Sequence, residues 1–302
     1  MQSSLVSLSN ELAKLVDEYQ FHVVAVHGGG HYPSSGVHWR PGVVVTADHT
    51  VGRDEDIQIT LPNGERVAAE LAGRDSGTDI AVLKAEGLGA SAAPAGEFEA
   101  AKVGELALVL GRSPNSGPNA SLGIISAISG PWRTWRGGRL DQYIRLDATL
   151  FPNSSGGAVV DCCGHILGIA TSALSRVAGL AIPASAINRV TDAVLKKGYV
   201  PRGYVGIGAQ PVAIPDALRA SLSIPNRSGV MVVSVERGGP ADQAGVFLGD
   251  ILVAMGTTTL EQIDDLRSFS ESGVIGASVV VKLIRAGALQ DVTMALGERA
   301  GR

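Results

Sequence analysis

Three residues of this 302-residue chain have the types and order that nucleophilic chemistry needs. Ser155 stands in Asn153-Ser154-Ser155-Gly156-Gly157-Ala158, where a tight turn can expose a hydroxyl and the glycines admit a second backbone. His49 closes the apolar run that ends Thr46-Ala47-Asp48-His49, and Asp79 opens Thr78-Asp79-Ile80-Ala81-Val82-Leu83. Taken singly, each has a plain reading: an ordinary β-turn, a structural histidine, a cap at a strand start. Taken together, they form a set with a mechanism. A hydroxyl is a weak nucleophile until a neighbouring base takes its proton. Neutral imidazole is that base near pH 7. A carboxylate holds its tautomer and stabilises the imidazolium that forms. The order His, Asp, Ser is one of the chain orders in which such triads occur.

Other reactive side chains carry weaker signals. His27 and His31 flank Gly28-Gly29-Gly30 with no Cys or acidic ligand close in sequence, so no metal site is expected there. No Gly-Lys-Ser/Thr follows those glycines, so they are not a phosphate loop, and no cofactor is implied. The two cysteines, Cys162 and Cys163, are adjacent, which excludes a disulfide framework and predicts free thiols at a turn. Trp132, Arg133, Trp135, Arg136 and Arg139 form a basic-aromatic stretch. With 25 basic against 29 acidic residues the chain has a net charge of −4, so nucleic-acid binding is not expected.

The elements that must position these residues are mostly strands. The chain has 39 glycines but only 3 Trp, 5 Tyr and 5 Phe, which fits many short strands joined by tight turns. Strands are predicted at Val23–Val26, Val43–Thr46, Ile57–Leu61, Arg66–Leu71, Asp79–Lys84, Glu105–Leu110, Ile124–Ile128, Tyr143–Leu146, Ala158–Asp161 and His165–Thr171. Their number and spacing suggest an antiparallel barrel or sandwich. Leu5, Leu8, Leu12, Leu15, Val16 and Tyr19 fall at helical spacing, predicting an amphipathic helix over residues 1–19. A second helix fits Pro183–Lys197, stopped by Gly198. Tyr199–Gly203 reads as a linker, and residues from about 204 to 299 read as a second unit of short strands and two short helices. No apolar run approaches the ~18 residues of a membrane span. Met1–Gln20 lacks the apolar core of a secretory leader, so a chain starting at Met1 is expected in the cytoplasm, and one bearing a leader upstream in the periplasm.

At this level of detail the sequence resembles the HtrA/Deg family of trypsin-like serine proteases, over nearly its whole length. The resemblance is carried by Ser35-Gly36-Val37, Val45-Thr46-Ala47-Asp48-His49, Gly73-Arg74-Asp75, Thr78–Lys84, Leu122–Ser126, Asp147-Ala148-Thr149, Pro152–Gly157, Gly164–Ile169 and Gly179–Pro183. Gly238-Gly239-Pro240-Ala241-Asp242-Gln243-Ala244-Gly245 and Leu248-Gly249-Asp250-Ile251-Leu252 resemble the core of a PDZ domain.

The resemblance implies a mainly β protein: a chymotrypsin-like pair of six-stranded barrels over residues 20–198, then an α+β PDZ domain over 199–302. It implies a serine endopeptidase acting on unfolded or damaged proteins. Its catalytic residues are His49, Asp79 and Ser155, and the backbone N–H groups of Asn153 and Ser155 form the oxyanion hole. Thr149, Leu150 and the strand Ala170–Ala173 would wall an apolar S1 pocket with no acid to pair a basic substrate residue. Tyr204, Val205, Gly206 and Ile207 would capture a C-terminal carboxylate, with Leu266 and Phe269 of a helix Glu261–Ser270 as the far wall. Trimers built near the N-terminal segment are also implied, with Tyr19 and Phe21 as contributors. That the basic-aromatic stretch from Trp132 to Arg139 is a mobile loop is a further implication of the resemblance. One departure bears on catalysis. The family's nucleophile loop is usually Gly-Asn-Ser-Gly-Gly, and here Asn153 stands at the first position. Asn tolerates a left-handed backbone better than most residues, but its Cβ makes that conformation cost roughly 1 kcal/mol. A catalytically silent PDZ scaffold or chaperone on a protease fold is the competing reading.

Overall fold

Apolar positions at helical spacing become α1 (Ser4–Tyr19), and only its second half reaches the body. Leu12, Leu15 and Val16 pack on the core and Tyr19 is buried, while Leu5, Val6 and Leu8 face solvent. The computed structural model describes residues 4–30, 32–88, 92–93, 101–272 and 274–300. His31 therefore lies outside the described residues.

After α1 the chain closes one barrel and then a second. The first is made of β1 (Val23–His27), β2 (Ser34–Arg40), β3 (Val43–Ala47), β4 (Ile57–Thr60), β5 (Arg66–Asp75) and β6 (Ile80–Ala85), in the order β1-β2-β3-β6-β5-β4. Next come β7 (Leu106–Ser113), β8 (Gly117–Ser129), a two-stranded hairpin β9 (Trp132–Arg133) and β10 (Arg139–Leu140), then β11 (Tyr143–Asp147), β12 (Ala158–Asp161), β13 (Ile166–Thr171) and β14 (Gly179–Pro183). The second barrel closes in the order β11-β14-β13-β12-β7-β8. Closure leaves no free sheet edge in either barrel. One apolar cluster draws on both, on α1 and on α2 (Ala184–Lys197). Pro183 caps α2 from outside its first turn, and Gly198 ends it at φ +79°.

Local pattern and structure diverge where pairing partners are distant. β2 carries Ser, Gly and His rather than an apolar alternation, yet it is buried along nearly its whole length between β1 and β3. Asp79 is not in a strand but just ahead of β6, with φ +61°. The stretch from Trp132 to Arg139, expected as a mobile loop, forms the β9–β10 hairpin.

The second unit, Pro201–Ala300, is described by itself. Its elements are β15 (Pro201–Tyr204), β16 (Ile207–Ala213), α3 (Asp216–Leu222), β17 (Ser228–Val235), α4 (Pro240–Gln243), β18 (Ile251–Met255), β19 (Thr258–Thr259), α5 (Ile263–Ser272), β20 (Ser278–Arg285), β21 (Ala288–Ala295) and β22 (Gly297–Ala300). The expected linker is in part a strand, because β15 pairs antiparallel with β22 from the far end of the unit. Helices number three among the described residues, not two. α5 starts two residues later than expected because the Asp265 carboxylate accepts the N–H groups of Glu261 and Gln262 and closes the helix start from within. The main sheet runs β16-β17-β18-β20-β21, which leaves β16 at an edge.

Candidate active site

The end of β3 and the start of β6 are neighbours in the first barrel, and that pairing brings His49 to Asp79. His49 sits in a short 3₁₀ turn, Asp48–Thr50. Its backbone N–H donates to Asp79 Oδ1 at 2.9 Å, and its Nδ1 lies 2.9 Å from Oδ2 and 3.1 Å from Oδ1. Opposite a carboxylate, Nδ1 must carry the proton, which leaves Nε2 as the free base. Asp79 is completely buried. Its left-handed backbone is a conformation Asp tolerates better than most residues, and it aims the carboxylate at the His49 backbone and ring together. Thr171 Oγ1, at the end of β13, donates to Oδ2 at 2.5 Å. Arg136 of the β9–β10 hairpin places Nη1 3.8 Å from Oδ1.

That hairpin is tied down on both sides. Thr134 Oγ1 donates to Gly77 O at 2.6 Å, and Gly138 packs so tightly that a Cβ there would lie 2.1 Å from the Gly77 backbone. Trp135 Nε1 donates to Ala173 O at 3.0 Å, and the Arg136 guanidinium stacks over the Trp135 ring at 4.9 Å.

Ser155 is held by its backbone. Its carbonyl accepts Ser35 N–H at 3.1 Å, and the next N–H, of Gly156, donates to Ala170 O at 2.8 Å. Gly156 has φ +83°, and a Cβ there would fall 2.1 Å from Ser35 O; at Gly157 a Cβ would fall 2.2 Å from Leu110 O. Both glycines are therefore required by close backbone approach. Ser154 is buried with its Oγ 3.2 Å from Phe151 N–H, from which it accepts. Ser155 Oγ faces Ser172 Oγ at 3.2 Å.

Asn153 could hold its peptide in either of two senses. It is not among the residues with positive φ, so no Cβ strain is present there. Ser154 N–H donates to Phe151 O at 2.8 Å, closing a turn with Pro152 and Asn153 at its centre. A type II turn needs positive φ at its third residue, so this turn has the type I sense. The two types differ by about half a turn of the central peptide, here Pro152–Asn153, and so present the Asn153 N–H to opposite sides. The Asn153 carbonyl accepts Ser35 Oγ at 2.6 Å, which anchors the peptide on its other side.

The expected S1 residues are placed as follows. Leu150 packs on the second-barrel core and against Gly179, Thr149 is exposed, and Ala173 is half-buried beneath Trp135. Tyr19 is buried within its own chain, whereas Phe21 is 64 % exposed.

In the second unit, a groove of about 600 Å³ runs between β16 and α5, and Tyr204, Val205, Gly206, Ile207 and Leu266 line it. Gly206 has φ +77°, and its carbonyl accepts Glu236 N–H at 2.8 Å while the Val205 carbonyl accepts Ala241 N–H at 3.0 Å. Phe269 does not line the groove. It packs into the unit's core with its ring edge against Gly256, because the groove face of α5 is Ile263, Leu266, Arg267 and Ser270. Arg267 and Arg299 also reach the groove. Sequence reasoning missed both; it placed Thr171 and Ser172 only in the strand expected to wall the S1 pocket, not as partners of Asp79 and Ser155. Arg267 lies on the Ile263–Leu266 stripe of α5, while Arg299 had no local signal.

Residues 34–169 match the trypsin-like peptidase domain and residues 205–296 the PDZ domain. A probable periplasmic serine endoprotease, DegP-like, of Brucella suis is 33 % identical over 238 residues, covering 74 % of this chain and 44 % of the relative. The similarly named protein of Rhizobium meliloti is 30 % identical over 262 residues, covering 85 % of this chain and 51 % of the relative. The chain thus spans about half the length of these curated relatives. Among solved structures, the serine endoprotease from Yersinia pestis superposes with a TM-score of 0.74 at 27 % identity, covering 95 % of this chain and 97 % of that one. The HtrA-type protease AlgW with a decapeptide superposes with a TM-score of 0.75 at 24 % identity, covering 96 % and 99 %. With two closed barrels, a PDZ domain following them in the sequence and these relatives, the chain belongs to the HtrA/Deg family of trypsin-like proteases.

Proposed function

We propose that this chain is a serine endopeptidase that cleaves unfolded polypeptides and uses its PDZ groove to bind their C-termini. The observation that carries the reading is the buried Asp79 carboxylate, which is bound at once by His49 N–H, His49 Nδ1 and Thr171 Oγ1. Nothing in barrel packing needs a buried carboxylate at that place, and burying one without full pairing is costly. A base fixed in one tautomer needs it.

In this mechanism Nε2 of His49 takes the Ser155 proton as Oγ attacks the substrate carbonyl. The imidazolium is stabilised by Asp79, and the tetrahedral oxyanion by the N–H groups of Ser155 and Asn153. His49 then protonates the leaving amine, and water hydrolyses the acyl-enzyme by the same steps reversed. Two features mark the present arrangement as a resting one. Among the described residues Ser155 Oγ is hydrogen-bonded to Ser172 and not to His49, and the Asn153 turn has the type I sense. Binding of substrate would free the hydroxyl and flip the Pro152–Asn153 peptide to the type II form, supplying the second donor.

Casein or another unfolded protein tests this directly: cleavage is expected, and Ser155→Ala abolishes it. The same features favour the second reading, a silent scaffold. A fluorophosphonate probe separates the two, since an intact triad labels Ser155 and a silent one leaves it unlabelled. Cleavage is expected after Val, Ala, Leu or Ile, because a Lys would bury an unpaired charge beside Leu150; fragments ending mainly in Lys or Arg would sink the pocket assignment. For the groove, a peptide with a free carboxylate is expected to bind and its amide to bind weakly. Arg267→Ala should narrow that gap, and equal binding of acid and amide would refute carboxylate capture. Self-association through the exposed Phe21 is part of the same proposal; light scattering of Phe21→Ser checks it.

A further inference from the structure

The β12–β13 turn gathers metal-binding side chains outside the triad. It reads Asp161-Cys162-Cys163-Gly164-His165, and the donor atoms of Asp161, Cys163 and His165 all lie within 4.8 Å of one another. We propose that this turn binds a borderline divalent metal ion of the Zn²⁺ class, through Cys163 Sγ, the His165 imidazole and one oxygen of Asp161.

The turn's backbone sets the three donors in place. Asp161 N–H donates to His165 O at 3.0 Å, and Gly164 N–H donates to Asp161 O at 3.2 Å with φ +87° at Gly164. The two Asp161 oxygens divide their work. Oδ1 accepts the N–H groups of Cys163 and His165, both at 2.8 Å, and so fixes the turn. Oδ2 points instead at His165 Nδ1, 2.9 Å away. Those two atoms share one proton, and a metal ion can take its place. Both flanking strands are anchored in the core through Val160 and Ile166, so the turn does not need the metal to fold.

The chemistry of the donors selects the ion. Thiolate, imidazole and carboxylate together suit Zn²⁺ and its neighbours rather than Mg²⁺ or Ca²⁺, which take oxygen. Zn²⁺ bonds of ~2.0–2.3 Å place two ligands of a tetrahedral centre about 3.3–3.7 Å apart. Rotations of the exposed Cys163 and His165 side chains bring the present spacings to that range, opening the 2.9 Å between Asp161 Oδ2 and His165 Nδ1 and closing the wider ones, which reach at most 4.8 Å. Binding releases the Cys163 thiol proton. The ion pair displaced is exposed on its histidine side, where such pairs contribute only ~0–1 kcal/mol, so it competes weakly. Cys162 Sγ is turned towards Leu106 O at 3.9 Å, which leaves the fourth position to water. The sequence expectation of no metal rested on His27 and His31; it overlooked alternate residues brought onto one side of a tight turn.

Co²⁺ is a suitable probe, because the chain's two cysteines are both on this turn and a thiolate-to-cobalt absorption band therefore reports on it alone. The full chain, reduced and stripped of metal, is titrated with Co²⁺ and then with Zn²⁺. One Co²⁺ per chain with a thiolate band is expected, displaced by Zn²⁺. Cys163→Ser should remove the band, His165→Ala and Asp161→Asn should weaken binding by at least ~10-fold, the lower end of the effect of losing even an outer partner. Cys162→Ser should leave the band. In the unaltered chain Zn²⁺ should also slow alkylation of Cys163 more than of Cys162, a readout that needs no variant. Absence of a thiolate band in excess Co²⁺, a band that survives Cys163→Ser, or binding indifferent to His165→Ala overturns the proposal.

Discussion

Ser155 Oγ lies 3.2 Å from Ser172 Oγ, and among the described residues no hydrogen bond joins it to His49. The proposed nucleophile is thus partnered by a neighbour from the segment after β13 rather than by its proposed base. Ser172→Ala removes the competitor. One net neutral hydrogen bond is worth about 0.5–1.5 kcal/mol, so basal kcat should rise ~2–12-fold. Steady-state kinetics on a short peptide check this, and an unchanged or lower kcat would show that Ser172 does not restrain Ser155. Ser154→Ala, which loses only the bond to Phe151 N–H, should stay active.

In the proposed mechanism Thr171 acts through Asp79, as a positioning residue. Its hydroxyl bond to a buried carboxylate is of the charge-assisted kind, worth about 1.5–3 kcal/mol. Thr171→Val is expected to lower kcat by roughly 10–150-fold at nearly constant KM. Thr171→Ser should restore most of it by returning the donor, and a matching loss in both variants would point to packing instead.

Asn153 sets the ease of the peptide flip. In the type II form its backbone becomes left-handed, at a cost of about 1 kcal/mol that glycine avoids. Asn153→Gly should therefore raise basal kcat ~5-fold, while KM stays near its original value because the donor acts in the transition state. The ceiling on such a gain is the ~10²–10³ attributed to one oxyanion donor. Equal kcat in the two proteins would place the limit elsewhere than in this peptide.

Asp250 and Arg285 join β18 to β20 in the PDZ unit through paired contacts of 2.9 and 2.6 Å. Burial raises the Asp250 carboxyl, but the Arg285 hydrogen bonds, Phe247 N–H and the Arg285 charge outweigh it and hold it below the usual carboxylate range. A carboxyl lowered in the folded state contributes stability above its unfolded value near ~3.9. That contribution is lost as pH falls through the folded value. Protection factors of β18 and β20 amides in the full chain, from which the intrinsic pH dependence of exchange has been divided out, should be flat across neutral pH and fall below about pH 4. Asp250→Asn should cost about 1.5–3 kcal/mol at pH 7 and flatten the acid response; an unaltered acid response would remove Asp250 as its source.

What the sequence by itself determined was the chemistry and the frame. Ser155, His49 and Asp79 stand out because the reaction restricts residue type. Gly156 and Gly157 stand out because a backbone approach near 2 Å admits no Cβ. Most strands of both barrels follow from apolar patterning, since alternation records which face is buried. The tertiary structure alone decided which polar groups meet. Thr171 and Asp79 are 92 positions apart, and β15 finds β22 across the whole second unit. Arg136 reaches Asp79 only because a hairpin folds where a loop was expected. Leu266 both joins the core and lines the groove, while Phe269 packs on the core alone, because the rotation of α5 is set by its packing, not by its apolar residues alone. The sense of the turn at Asn153 is likewise not local. Asn permits either φ, and the distant Ser35 hydroxyl, bonded to the Asn153 carbonyl, accompanies the type I sense. Patterning encodes burial, which each residue carries alone. A hydrogen-bonded pair depends on register and closure, which belong to no single segment.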